Sequence, residues 1–213
     1  INDGTTITTA DNTDTLTLKS TDADGSSGPN LKLARDSGSP ADGDVIGQII
    51  FTADDDAGNA TDFFTMSGNI RDASNGNEEV QMVFYGYRNG AVVNYLEFDD
   101  DHVVFNEGSA DIDFRVESNG NANMIFVDGG NDRVHIGNST TIQSGGNDAA
   151  LQINGTGGND GHLTITRFSA NAYPPQISLG KSRNGTVGSF TIVQDDDDFG
   201  QINFSGDDGA ANL

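Results

Sequence analysis

Apolar and polar residues alternate in short runs along most of this chain. Between residues 113 and 136, Phe114 and Val116 alternate with Arg115 and Glu117, residues 124–127 are continuously apolar, and Val134 and Ile136 alternate with Arg133 and His135. A period of two places successive side chains on opposite faces of a strand, so this stretch predicts three strands. Asn119-Gly120 and Gly129-Gly130-Asn131 separate them with residues that tolerate positive φ, and both are expected to reverse the chain.

The same reading extends outward. Strands are expected around Ile7, over Leu16-Thr-Leu18 and Leu31-Lys-Leu33, and over residues 45–51, the most apolar run in the first third. Residues 63–66 read as an edge strand. Residues 80–88 and 91–98 flank Asn89-Gly90, the pair that best meets the φ demand of a type I′ turn, and predict a hairpin; residues 102–105 follow it. Farther on, Thr141-Ile142, Leu151-Gln-Ile153 and Leu163-Thr-Ile165 read as short strands between glycines. Gly-Gly-Asn-Asp recurs at 129, 145 and 157, each time ahead of a strand signal. No sustained 3.6-residue period with caps occurs, so little or no helix is expected.

An internal duplication is visible by residue type. Leu16-Thr-Leu18 matches Leu163-Thr-Ile165, Pro29 with Leu31-Lys-Leu33 matches Pro175 with Ile177-Ser-Leu179, and Gly47-Gln-Ile-Ile-Phe51 matches Gly200-Gln-Ile-Asn-Phe204. The acidic turns Asp54-Asp55 and Asp207-Asp208 follow in register. The organisation expected is a first β module (1–62), a hairpin-rich centre (63–110), a Gly/Asn/Asp-rich module (111–161) and a second copy of the first (162–213). Repeats that cannot bury themselves alone mark stacked or fibrous folds.

Composition sharpens this. Of 213 residues 34% are hydrophobic, none is Trp and 28 are Gly, so few large side chains are available per strand and the entropy of ordering is high. A net charge of −23 argues against nucleic acid or an anionic membrane as partner, and no apolar run is long enough to span a bilayer. The absence of Cys excludes disulfides and thiolate metal sites. The start at Ile1, without an initiator Met or an h-region, reads as an internal piece of a longer polypeptide.

Candidate chemistry is thin. Asp runs at 54–56, 99–101 and 195–198 carry oxygens of the kind Ca²⁺ favours, but the Gly-Gly-Asn-Asp spacings of 16 and 12 do not keep a nine-residue calcium repeat, and solvated turns are preferred to metal sites. No nucleophile elbow occurs, and His102, His135 and His162 read as strand-face residues; no catalytic residue and no cofactor is assigned. Among the aromatic residues of the central hairpin, the phenylalanines Phe84, Phe98 and Phe105 are expected to be buried. Tyr85 and Tyr87 share a face and are the candidates for contact with sugar rings.

Three stretches in combination resemble modules of tailed-bacteriophage tail fibres, particularly of marine phages: residues 113–137, Leu33-Ala-Arg-Asp-Ser-Gly-Ser-Pro-Ala-Asp-Gly-Asp-Val-Ile-Gly-Gln-Ile-Ile-Phe51, and Gly180-Lys-Ser-Arg-Asn-Gly-Thr-Val-Gly-Ser-Phe190 with 195–209. The resemblance implies an all-β, elongated homotrimeric fibre of the β-prism or interleaved type. Such a fibre works in the virion, outside the cell, contacts neighbouring tail proteins, and helps attach to a polysaccharide or protein receptor of the host. Independently, amphipathic strands with few large residues would leave one face wet in a monomer. Three chains around an axis would cover it, with Phe114, Val116, Ile125, Val127, Val134 and Ile136 as the expected core. A polysaccharide depolymerase and a Ca²⁺-binding bacterial adhesin are the alternatives.

Overall fold

The strongest turn in the sequence forms as expected. Asn89 and Gly90 both take positive φ (51° and 79°) and join β3 (Glu79–Arg88) to β4 (Ala91–Phe98). In the computed structural model, which describes residues 4–144, 146–207 and 209, this hairpin is the middle of a five-stranded antiparallel meander. Its other strands are β1 (Val45–Asp54), β2 (Ala60–Asp72) and β5 (Val103–Phe105), in the order β1-β2-β3-β4-β5. Residues 63–66 are therefore not an edge. They sit inside β2, the longest strand at 13 residues, which is hydrogen-bonded to β1 on one side and β3 on the other. Ser67, Gly68 and Asn69 continue the strand because their polar groups are paired across its neighbours, a gain that β-propensity does not register.

A second body begins after residue 107. β6 (Phe114–Val116), β7 (Ile125–Asp128) and β8 (Arg133–Ile136) form the expected antiparallel trio, and β11 (Leu151–Ile153) adds to β8 in parallel, giving the order β11-β8-β7-β6. A two-residue pair, β9 (Gln143–Ser144) with β10 (Asn147–Asp148), lies between β8 and β11, displaced from the strand expected at 141–142. About 30% of the chain is strand, and the described residues contain no helix: the fold is all-β.

The two turns of the second sheet work differently from expectation. Residues 117–124 make a longer loop in which neither Asn119 nor Gly120 has positive φ; Ser118 instead closes it, its N–H donating to the Asn121 carbonyl at 2.8 Å and its hydroxyl accepting the Asn121 N–H at 3.2 Å. At the other turn the positive φ falls on Asp132 (56°). Gly129 and Gly130 are needed for close approach. A Cβ at 129 would lie 2.4 Å from the Ile112 carbonyl oxygen, and one at 130 would lie 2.6 Å from Asp111 Oδ1.

The strands expected near Ile7 and at 16–18, 31–33, 163–165, 177–179 and 200–204 are not formed. Their alternation is present, but among the described residues none of these stretches makes a backbone hydrogen bond. Residues 1–3, Gly145, Asp208 and residues 210–213, including the ends of the expected copies, lie outside the described residues.

The chain nevertheless repeats one local arrangement. At the entry to β1, Leu33 lies over Gly47, Arg35 pairs with Asp44 at 3.1 Å, and the Asp44 carboxylate accepts the Ala41 N–H at 3.1 Å around Gly43 (φ 82°). At the matched positions Leu179 lies over Gly200, Lys181 pairs with Asp197 at 3.0 Å, and Asp197 accepts the Gln194 N–H at 2.8 Å around Asp196 (φ 68°). The first arrangement leads into a paired strand; the second does not.

Candidate functional site

Registered cross-strand partners share a face, so the sides of each sheet follow from its pairing. In the first sheet one row runs Ile49, Met66, Phe84, Leu96, Phe105 across all five strands. The adjacent rows are Gly47, Gly68, Met82, Phe98, Val103 and Phe51, Phe64, Gly86, Val93. This face is apolar throughout. Phe51 packs on Phe64 and Phe84 on Phe98, with ring centroids 6.0 and 6.1 Å apart. Leu31 and Leu33 cross it where Gly47 and Gly68 leave room, lining a hollow of about 250 Å³ with Ile49 and Met66. Of the phenylalanines expected to be buried, Phe84 is half-buried while Phe98 and Phe105 are exposed, which corrects the expectation for those two; Phe51 on the same face is exposed as well. Val83, on the opposite face, is the one large apolar side chain that is buried among the described residues.

That opposite face carries a chain of polar side chains. Gln48 Nε2 donates to the Tyr85 hydroxyl (3.0 Å) and at the limit of bonding to Ser67 Oγ (3.5 Å). Ser67 donates to Asn69 Oδ1 (2.9 Å), Asn69 Nδ2 to Gln81 Oε1 (3.0 Å), and Gln81 Nε2 to Glu97 Oε1 (2.5 Å). Thr65, Ser67 and Glu97 are buried in this row. Satisfied networks of this kind hold their members in fixed rotamers. Beside it lies an open cleft of about 570 Å³ lined by Asp42, Gln48, Ser67, Arg71, Gln81 and Tyr85. Tyr85 faces this cleft with its hydroxyl engaged, whereas Tyr87 is exposed farther along β3, where its carbonyl accepts a long bond from the Tyr95 hydroxyl (3.4 Å). Apart from Tyr85, the cleft is the part sequence reasoning missed, because its residues come from three strands and the loop before β1 and only the register brings them together.

In the second sheet the rows are Phe114, Val127, Val134, Leu151 and Val116, Ile125, Ile136, Ile153. All six residues expected to line an axis lie on one face, joined by Leu151 and Ile153, and that face is half-exposed. The reverse face carries Arg115, Phe126, His135 and Gln152. His135 is fully buried against the Phe126 ring, 5.9 Å away, and neither ring nitrogen has a hydrogen-bond partner.

Carboxylates in the acidic turns accept hydrogen bonds from nearby backbone N–H groups. Asp55 Oδ1 accepts the N–H groups of Ala57 and Asn59, and Asn59 Nδ2 donates to both of its oxygens. Asp128 repeats the pattern with Gly130 and Asn131. These bonds favour the charged form, and both carboxyls titrate below their ordinary value, through the asparagine side chains first. Asp197 lies well below the usual carboxylate range because Arg183 binds it in two-pronged fashion at 2.7 and 2.8 Å, the Gln194 N–H donates to it, and Lys181 adds a third cationic contact. His102 is shifted upward by its hydrogen bond to Asp101. Among the described residues no three His, Asp or Glu side chains converge as a metal site, and no helix is long and apolar enough to cross a membrane. Comparison with family models, with curated proteins and with solved structures returns no match.

Proposed function

We propose that this chain is a structural segment of a phage tail fibre, assembled as a homotrimer, that contributes to attachment of the virion to its host cell. The observation that carries this reading is the apolar face that each sheet leaves partly exposed. A polypeptide whose buried residues include Thr65, Ser67, Glu97, His135 and Gln152, but only one large apolar side chain among those described, has no interior of its own in the usual sense. Further copies around an axis supply what is missing, which is how the tail-fibre resemblance and the geometry come to the same expectation. Recognition then falls to the polar face. A cleft of amides, a hydroxyl, a carboxylate and a guanidinium beside a tyrosine ring is chemistry suited to a polyhydroxylated surface such as a cell-wall or capsular saccharide.

Two measurements test the reading. Light scattering on the chain is expected to give about three times 22.3 kDa, and the purified assembly is expected to bind bacterial cells and compete with phage adsorption. A stable monomer that binds no cells would overturn it. Release of reducing ends from host polysaccharide would replace it with a depolymerase.

A further inference from the structure

The second half of the chain presents a different kind of incompleteness. Among the described residues, residues 154–207 belong to no strand, and the backbone groups of residues 198–206 make no backbone hydrogen bond. Yet this segment is held in shape by the same lock that launches β1: Leu179 on Gly200, and Asp197 clamped by Lys181, Arg183 and the Gln194 N–H. In the first instance β2 takes up the strand that leaves the lock; in the second nothing does. The side chains record the difference. Ile49 is 41% exposed and Phe51 54%, whereas the matched Ile202 and Phe204 are 73% and 95% exposed, and Phe190 is 90% exposed.

We infer that residues 198–206 are a strand whose hydrogen-bonded partner is an extended segment within residues 163–206 of a neighbouring copy of this chain. Backbone N–H and C=O groups flanked by apolar side chains need partners once those side chains are covered, so covering this segment and pairing its backbone are one event. β2 cannot serve, because it is already bonded on both sides.

Charge and area both fit a copy of this chain as the partner. Residues 163–206 contain Arg167, Lys181 and Arg183 against the four aspartates 195–198, a net charge of −1 in a chain of −23. At −1 over 44 residues this segment carries less than its share of the charge, so copies repel less here than over the chain as a whole. The chain also exposes 16,864 Å², where two separate compact bodies of half its mass would together expose about 11,300 Å². The excess of roughly 5,500 Å² is on the scale of an obligate interface between subunits. This inference rests on the homotrimeric reading and adds to it by assigning strand exchange to 163–206, apart from the sheet face that carries Phe114.

The test is hydrogen exchange on the assembled full chain, with light scattering on the same sample. Amides of residues 198–206 are expected to exchange at least about 100-fold more slowly than an open chain, as members of a ladder do. Ile202→Asp is expected to weaken assembly at least about tenfold and to abolish that protection, while amides of 80–98 stay protected. An assembly in which 198–206 exchanges freely, or in which Ile202→Asp assembles normally, overturns the inference and leaves the fibre reading standing. A chain that remains monomeric with 80–98 protected overturns both.

Discussion

Alanine at Gly47 or Gly200 tests whether the repeated lock is a packing device. A Cβ at 47 would lie 2.9 Å from Leu33 Cβ and 3.3 Å from its Cδ1; at 200 the distances to Leu179 are 2.7 and 3.0 Å. Carbon atoms rest at about 3.5–4.0 Å, so the leucine or the backbone must give by about half an ångström to an ångström. Overpacking of this kind costs about 1–3 kcal/mol. Neither glycine is in the left-handed region, so alanine also removes unfolded-state freedom, a gain of about 0.4–1 kcal/mol. The net expectation is a loss of about 0.5–2 kcal/mol at each site, larger at 200, or a melting midpoint lowered by about 1–8 °C at this chain length. Gly38→Ala is the control. Nothing lies within 4 Å of its Cβ and its φ is ordinary, so it is expected to be neutral or stabilising. Thermal unfolding at one fixed protein concentration reads all three, because assembly makes the midpoint concentration-dependent. In the double variant Leu33→Gly with Gly47→Ala the Cβ–Cβ clash is gone, and the pair should cost less than the sum of its parts. If Gly47→Ala melts with Gly38→Ala and the double variant is additive, Leu33 does not seat on Gly47 and the lock is imaginary.

Gln81→Leu breaks the polar chain in its middle and strands buried Glu97, and is expected to cost about 1–3 kcal/mol in urea unfolding; a neutral result would mean that water replaces the amide. Acidification is expected to destabilise the fold, because Asp55, Asp128 and above all Asp197 have folded-state values below their unfolded ones: their stabilisation is complete above the ordinary carboxylate range and disappears as pH falls through the depressed values. Asp197→Asn should flatten the acid limb of a melting-temperature profile. His102 has the opposite sign, contributing below its ordinary value and losing that contribution as pH rises through the raised one. Phe114→Asp places a charge on the apolar face of the second sheet and is expected to prevent assembly, seen as a monomer by light scattering. EDTA is expected to leave the melting temperature unchanged, since the turn carboxylates are taken up by N–H donors.

What the sequence made legible was local. Asn89-Gly90 fixed a hairpin because two adjacent residues suffice to write a type I′ turn. The common face of Phe114, Val116, Ile125, Val127, Val134 and Ile136 was legible because alternation and two nearby reversals determine it. Long-range pairing was not. Nothing in Leu151-Gln-Ile153 states that it lies parallel to β8, and nothing in Gly129-Gly130 states that Ile112 passes 2.4 Å from where a Cβ would stand. Residues 63–66 are not an edge as expected, because the strand runs on through Ser67 and Asn69, whose bonds with Gln48 and Gln81 tie it to the strands on either side. The alternating stretch at 200–204 misled in the other direction: it has the pattern of a strand without a neighbour among the described residues to complete one.

The polar row on the first sheet has a further consequence for folding. An apolar face built from Ile49, Met66, Phe84, Leu96 and Phe105 is almost indifferent to a strand sliding by two residues, since one greasy side chain replaces another and the alternation survives. The amides are not indifferent. Such a slide would separate Gln48 from Tyr85, or Asn69 from Gln81, or Gln81 from Glu97, depending on the strand that moved. The sheet thus carries its own vernier on one side, which sets the alignment of its strands while the other side is still uncovered.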